Sequence, residues 1–507
     1  MKKRLVSLIA VALLCVSNTL TACTPKEASV PTTTTSVEAT TTASSAEQTD
    51  VTTTTDKQGT STQKDATITQ KVETTKATTT KEKVPTAATT TSKTTVVTTR
   101  DEVTTVVTTN KAEQTTTSSS RRTVSTKSRA TTTEEPVNQL AQIADRINNN
   151  LSYPAEKIAT DKVLISGFEK QWAFKHHPAL GYFKGRLYAA HTRGYEGEDH
   201  PGQHMVVSYS DDFFHWSEPK IIGPSVKGTA GETVVFPVGM FVSGDRLYMQ
   251  YYIRDFAAEC FDANGRFNTK SSWKGEDYCY LTWTDDGENW SEPKNIPHGY
   301  ILGQGLRKSF TSGQWISAWG AQFFWSSDEV PNIFNFNENH LTNEQRADAK
   351  QRNGGKSLTE SSWYETADGV YHILIRSDTG YLWHFQSDDG GKTLSDPYPT
   401  RFNSTNSQLD FIQTSTDFII GVGEPYNPSR PWDAYPLQLW ISKDGYNFNK
   451  SYILQDEKYQ MQQPGYSKGC YYAYPSLVIE GDYLYILYSK MKEVIEITRV
   501  KLSDLKK

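Results

Sequence analysis

Residues 174–207, FKHHPALGYFKGRLYAAHTRGYEGEDHPGQHMVV, gather His176, His177, His191, His200 and His204 around one apolar run. The acidic pair Glu198-Asp199 stands before a Pro-Gly turn. Imidazole and carboxylate side chains exchange protons near neutral pH, so acid–base catalysis is one reading. A zinc set of His177, His191 and His204 is the second. Strand-borne histidines at such irregular separations more often stack on neighbours or cap turns, so no metal is expected. Cys260, Cys279 and Cys470 form no C-x-x-C pair and add neither a zinc nor a redox motif. A Cys260–Cys279 bridge and buried free thiols both stay open. No cofactor is implied, and structural calcium is left open.

The elements that must position these groups are short strands. GRLYAAHTR at 185–193, GDRLYMQYYIR at 244–254, DGVYHILIR at 368–376 and GDYLYILYS at 481–489 each combine a turn glycine with alternating aromatic or β-branched residues. A second motif recurs as SDDFFHW at 210–216, TDDGENW at 284–290, SDDGGKTL at 387–394 and SKDGYNF at 442–448. Its hydroxyl and carboxylate oxygens suit the N–H groups of a hairpin turn, with glycine taking a positive φ and an aromatic packing beneath. This repeat resembles the Asp box of sialidase-like β-propellers, which implies an all-β fold. Six blades from about 165 to 507 fit the length, and seven would need short ones. The inner strand of the first blade is expected over 185–193. The polar segment 337–355 reads as a helical insertion, and 138–152 as a small lead-in helix. The resemblance makes the box aspartates turn-builders at the blade periphery. Function is expected at the inner strand ends, where loops converge.

Composition divides the 507 residues. Residues 1–22 carry Lys2, Lys3 and Arg4 before an apolar run too short for a spanning helix, and read as an export signal. Leu20-Thr21-Ala22-Cys23 resembles the bacterial lipobox, which implies lipidation at Cys23 and a place on the outer face of the cell membrane. Residues 23–136 are rich in Thr and nearly free of aromatics, so they cannot bury enough surface to order and read as a stalk. Residues 137–164 connect it to the 165–507 domain. The formal net charge of −5 offers no basic field for nucleic acid. The membrane is met only through the anchor, and a monomer is expected.

The family resemblance extends to single residues. TESSWYETADGVYHILIR, 359–376, is similar to the sialidase stretch in which a glutamate precedes a strand and a second strand ends in arginine. It places Glu360 and Arg376. AYPSL, 473–477, resembles the segment of the nucleophilic tyrosine, which implies Tyr474, and GEDHPG implies Asp199 as acid/base. A neutral tyrosine activated by a glutamate avoids the repulsion that a bare carboxylate would feel from an anionic sugar. An aspartate of raised pKa can protonate the leaving oxygen and later activate water. The pattern breaks at the first substrate-binding arginine, whose place reads His176-His177-Pro178. The third arginine is unsettled between Arg430 and the earlier Arg401, and histidine lacks the bidentate fork of a guanidinium.

Three functions follow. The first is an exo-acting glycosidase. The second is a lyase, or a histidine-dependent glycosidase, on uronate-containing polysaccharide, which the HHP opening also resembles and which would draw on His176 or His177, His191, Tyr252 and Arg254. The third is a propeller that only binds glycan.

Overall fold

The computed structural model describes residues 138–150, 155–268, 274–296, 305–329, 336–431 and 433–506. The export signal, Cys23 and the Thr-rich stalk lie outside them.

Six sheets, each built on four antiparallel strands, follow one another along the chain, which makes the domain a six-bladed β-propeller. Blade 1 holds Phe174–Phe183, Arg186–Gly194, His204–Ser210 and Lys220–Gly223, and blade 2 holds Val234–Ser243, Arg246–Phe256, Gly275–Thr284 and Lys294–Asn295. Blade 3 holds Arg307–Lys308, Trp315–Trp319, Gln322–Ser326 and Asn337–His340. Blade 4 holds Ser361–Glu365, Tyr371–Ile375, Tyr381–Ser387 and Tyr398–Asn403. Blade 5 is built from Asp410–Ser415, Phe418–Gly423, Leu437–Ser442 and Lys450–Gln455, with Glu156–Lys157 adding a parallel strand at its edge. In blade 6, Tyr472–Glu480, Tyr483–Lys490 and Val494–Lys501 are completed by Asp161–Ser166 from the start of the domain, so the ring closes by hydrogen bonding between its two ends.

Apolar residues between blades form the core. Ala190, Met205 and Val207 of blade 1 meet Val235, Met240 and Met249 of blade 2, and Ile420 and Leu439 of blade 5 meet Leu477 and Ile486 of blade 6. Each large side chain so buried contributes about 1.5–3 kcal/mol.

The four Asp boxes all lie on turns between the third and fourth strands of their blades. Asp212 accepts from the N–H groups of Phe214 and His215, both at 2.9 Å, while Asp286 and Asp444 each accept two N–H groups at 2.8 Å. Asp389 accepts from Thr393 at 2.9 Å. Blade 6 has no such turn because its fourth strand comes from the other end of the domain; the widest interval between boxes, from 284–290 to 387–394, spans blade 3.

The inner strand of blade 1 is Phe174–Phe183, not 185–193; the repeated Gly-turn motif forms the second strand in each of its four blades. The insertion also differs from expectation. Asn337–His340 pairs with Gln322–Trp325 as an edge strand, and only Asn343–Arg352 is helical, where Thr342 and Gln345 form a reciprocal capping box. The lead-in helix is Gln139–Arg146, capped by Asn138. Cys260, Cys279 and Cys470 are buried thiols; Cys260 Sγ donates to the Lys274 carbonyl at 3.0 Å and Cys279 Sγ accepts from Gln250 Nε2 at 3.1 Å, so the Cys260–Cys279 bridge does not form.

Blade 4 contains a buried histidine pair, His372 Nδ1 to His384 Nε2 at 3.0 Å, with His372 Nε2 also 3.0 Å from the Thr366 hydroxyl. Burial pushes His372 down to about 4, against the opposing pull of Asp368, and pushes His384 well below its usual value. Both are neutral when folded and titrate near 6.5 when unfolded, so the unfolded chain binds more protons between those values. Stability is therefore expected to fall as pH drops from about 6.5 towards 4, by up to roughly 1.4 kcal/mol per pH unit for each histidine. Denaturant unfolding across that range checks it, and an unchanged midpoint would contradict the buried neutral pair.

Candidate active site

Propeller strands alternate in direction, so one face collects the starts of the inner strands and the turns between second and third strands. The Asp boxes fall on the opposite face. His176, His177 and Tyr474 lie near the starts of inner strands, and Glu360 immediately precedes one. Glu198, Asp199, Arg376 and Lys492 lie between second and third strands, and Arg254 lies near the end of a second strand. Residues far apart in sequence thus share one end of the ring.

Three inner strands carry a bulge at an X-Pro step, where the ladder slips between His176 and Ala179, Pro237 and Gly239, and Ala473 and Ser476. Proline cannot donate to the ladder, and a bulge re-aims the side chain beside it. The residues so placed are His177 and Tyr474, while Phe236 stays in register opposite Tyr252 just before its proline. His177, Asp199 and Tyr474 have φ of 51°, 57° and 56°, a left-handed conformation costing non-glycine residues about 1–3 kcal/mol.

Tyr474 Oη donates to Glu360 Oε1 at 2.8 Å. Arg376 Nη1 donates to Glu360 Oε2 at 2.7 Å and to Tyr474 Oη at 3.1 Å, while its Nε bonds Asn406 Oδ1 at 2.5 Å. Burial, then the neighbouring Glu360, push the Tyr474 hydroxyl well above its usual value, so it is held as the phenol. Burial opposes the charge on Arg376, but Glu360 and Tyr474 outweigh it and hold the guanidinium protonated.

Around this trio, the His176 and His177 rings lie 4.4 and 5.7 Å from that of Tyr474. His176 Nδ1 meets Ser489 Oγ at 2.7 Å, and burial, with Lys492 nearby, pushes its pKa well below 6.5. His177 Nε2 is 3.4 Å from Glu198 Oε1, whose other oxygen accepts from Lys492 Nζ at 2.8 Å. Burial pushes Glu198 up, yet Lys492 and His177 prevail and hold it at about 2. Asp199, 2% exposed, pairs with Arg254 Nη1 at 3.0 Å and leaves Oδ2 without a partner. Burial raises Asp199 to about 6 despite Arg254. Arg254 is also held by Asp277 at 2.8 Å, and Phe236 stands between the His177 ring, at 5.0 Å, and Tyr252, at 5.5 Å.

Asp199, Glu360, Tyr474, His176, His177, Arg254 and Arg376 thus belong to one chain of contacts drawn from blades 1, 2, 4 and 6. Arg430 does not join it. It is half exposed and pairs with Asp433 at 3.0 Å, because its loop runs outward. Arg401, exposed at the edge of blade 4, pairs with Asp145. Of the lyase set, His191 is buried with neither nitrogen partnered and makes none of the ring contacts to Tyr474, while Tyr252 is stacked behind Phe236. The His177, His191 and His204 zinc set is not assembled; His204 packs edge-on against Trp172 and lies 3.3 Å from the Gly202 carbonyl.

Sequence reasoning missed Lys492, Ser489, Asp277 and Asn406, and met Glu198 only as half of an acidic pair with no role of its own. The repeated X-Pro step on inner strands was a signal for Phe236. Lys492 and Ser489 carry no local signal, since they matter only through partners from another blade.

The fold and this face define a sialidase-like propeller of Asp-box blades. Residues 185–486 match the family described as a BNR repeat-like domain, and the chain belongs to that family. No curated protein matches the sequence. Among solved structures, a sialidase is similar at 17% identity and a TM-score of 0.47, over 69% of this chain and 33% of its own. The chain thus spans about a third of that sialidase. The intramolecular trans-sialidase of Ruminococcus gnavus, solved with oseltamivir carboxylate, is similar at 15% identity and a TM-score of 0.48, over 68% of this chain and 98% of its own. A Dyadobacter fermentans protein of unknown function is similar at 15% identity and a TM-score of 0.49, over 69% of this chain and 100% of its own.

Proposed function

We propose that the chain is an exo-acting glycoside hydrolase that cleaves a terminal sugar through a covalent enzyme intermediate. The observation that carries this reading is the 2.8 Å bond from Tyr474 Oη to Glu360 Oε1, within the reach that activation of a nucleophile needs. Glu360 accepts the phenol proton as Oη attacks the anomeric carbon, and Arg376 stabilises both the carboxylate and the developing phenolate. Asp199 is the acid/base: a carboxyl withdrawn from water, on a loop beside His177, protonates the leaving oxygen and then takes a proton from the incoming water. An exo mode is supported by burial, since Glu360, Arg376 and Asp199 are buried while Tyr474, His177 and Phe236 reach solvent in part. Such a site suits a chain end better than a chain interior.

The chain is placed by the same reading on the outer face of a bacterial cell membrane, with Leu20-Thr21-Ala22-Cys23 supporting lipidation at Cys23. The Thr-rich segment would then hold the propeller away from the surface.

The full chain, incubated with oligosaccharides ending in sialic acid, a uronic acid or a neutral sugar, is expected to release a monosaccharide. No absorbance from an unsaturated uronate should accompany it. Appearance of that absorbance would instead support elimination, and glycan binding without any product would support the binding module.

A further inference from the structure

We propose that His176, His177 and Glu198 form a binding site for a divalent first-row metal ion of the zinc type, beside the Tyr474 hydroxyl. One donor atom from each of the three lies within 4.8 Å of the others. His176 is fully buried and its Nε2 makes no hydrogen bond; Glu198 Oε1 is buried and has only the His177 Nε2, at 3.4 Å, beside it. Leaving such groups unsatisfied is costly, so convergent donors call for an occupant. Two imidazoles and one carboxylate are a known zinc donor set that leaves coordination positions open. With tetrahedral bonds of about 2.0–2.2 Å, the donors stand about 3.3–3.6 Å apart, so a triangle of up to 4.8 Å draws in by roughly 1 Å or more on binding.

The surroundings supply what metal ligands need. Ser489 Oγ engages His176 Nδ1 at 2.7 Å, which fixes the ring and leaves Nε2 as the nitrogen available for ligation. Lys492 bonds Glu198 Oε2 at 2.8 Å, so ligation through Oε1 leaves that bond intact. Adjacent His176 and His177 reach the same point because the bulge turns the His177 backbone left-handed. The ion would place a fixed positive centre next to Tyr474, where it can take an oxygen of the sugar, a carboxylate oxygen above all. That use rests on the hydrolase reading; the existence of the site does not.

The test is equilibrium dialysis of the full chain against Zn²⁺, with metal analysis, and titration with Co²⁺ followed by its visible absorption. Wild type is expected to retain close to one equivalent and to develop a saturable Co²⁺ band. His176→Gln and Glu198→Gln are expected to bind at least about tenfold more weakly, and Ser489→Ala about tenfold more weakly. His191→Gln, buried nearby but outside the triad, should bind as wild type does. Melting curves without metal verify that each variant is folded. Absence of a saturable Co²⁺ band in wild type overturns the site whatever the variants do, and so does equal loss in His191→Gln. A chain that binds metal and turns over no glycan would keep the site and sink the hydrolase; turnover without metal binding would do the reverse.

Discussion

Tyr474→Phe is expected to lower kcat on the sugar released by the wild-type chain by roughly 10³-fold or more, the scale on which a nucleophile acts. The substitution removes one oxygen. Glu360 keeps its bonds from Arg376 Nη1 at 2.7 Å and Thr359 Oγ1 at 2.8 Å, so no buried charge is left alone and stability should change by only about 1 kcal/mol. Glu360→Gln should cost a comparable factor by removing the proton acceptor, and the double variant should cost little more than either alone, because the two act as one unit. Steady-state kinetics with a melting curve for each variant separates chemistry from folding. If Tyr474→Phe retained more than about a tenth of the wild-type rate, the nucleophile would lie elsewhere.

The propeller was legible because its repeat is local. Each Asp box satisfies its own turn within a few residues, as Asp444 does through Tyr446 and Asn447 at 2.8 Å, so the pattern survives in the sequence without reference to the rest of the fold. The Glu360, Arg376 and Tyr474 cluster was legible for another reason: Glu360 and Arg376 flank one hairpin, and Tyr474 lies in the AYPSL segment that carries the family resemblance. Strand order was misread in blade 1 because Pro178 interrupts the inner strand. A proline inside a run argues against a central strand unless a bulge accommodates it, as it does here. Arg430 was misplaced since an arginine on a long loop carries no periodicity to say which way it points. The ion pairs that hold the site, Arg254 with Asp199 and Asp277 and Lys492 with Glu198, join separate strands and loops of the ring. Spacing along the chain does not encode them.

Lys468→Met is expected to destabilise the chain by about 3–5 kcal/mol, the usual result of stranding one member of a buried ion pair. Neither Lys468 nor Glu493 has an exposed side chain, and Nζ bonds Glu493 Oε1 at 2.7 Å, the Ala173 carbonyl at 2.8 Å and the Gln463 carbonyl at 2.5 Å. Burial alone would drive the ammonium towards its neutral form, and Glu493 is what opposes that. Glu493 also accepts the Gln462 and Gln463 N–H groups at 2.8 and 2.9 Å, so an uncompensated carboxylate would unsettle the whole 462–468 turn. That turn reaches the site, since the Tyr466 carbonyl accepts the Glu198 N–H at 3.0 Å and so steadies the loop of Asp199. Lys468→Met should therefore also lower kcat/KM, although Lys468 touches none of the reacting groups. Lys468→Met with Glu493→Gln removes both charges and keeps an acceptor for one of the two N–H groups, and should recover part of the lost stability. Denaturant unfolding of the two singles and the double measures the coupling. A single-variant loss within 1 kcal/mol would mean that water reaches the pair and that the turn is held by its backbone alone.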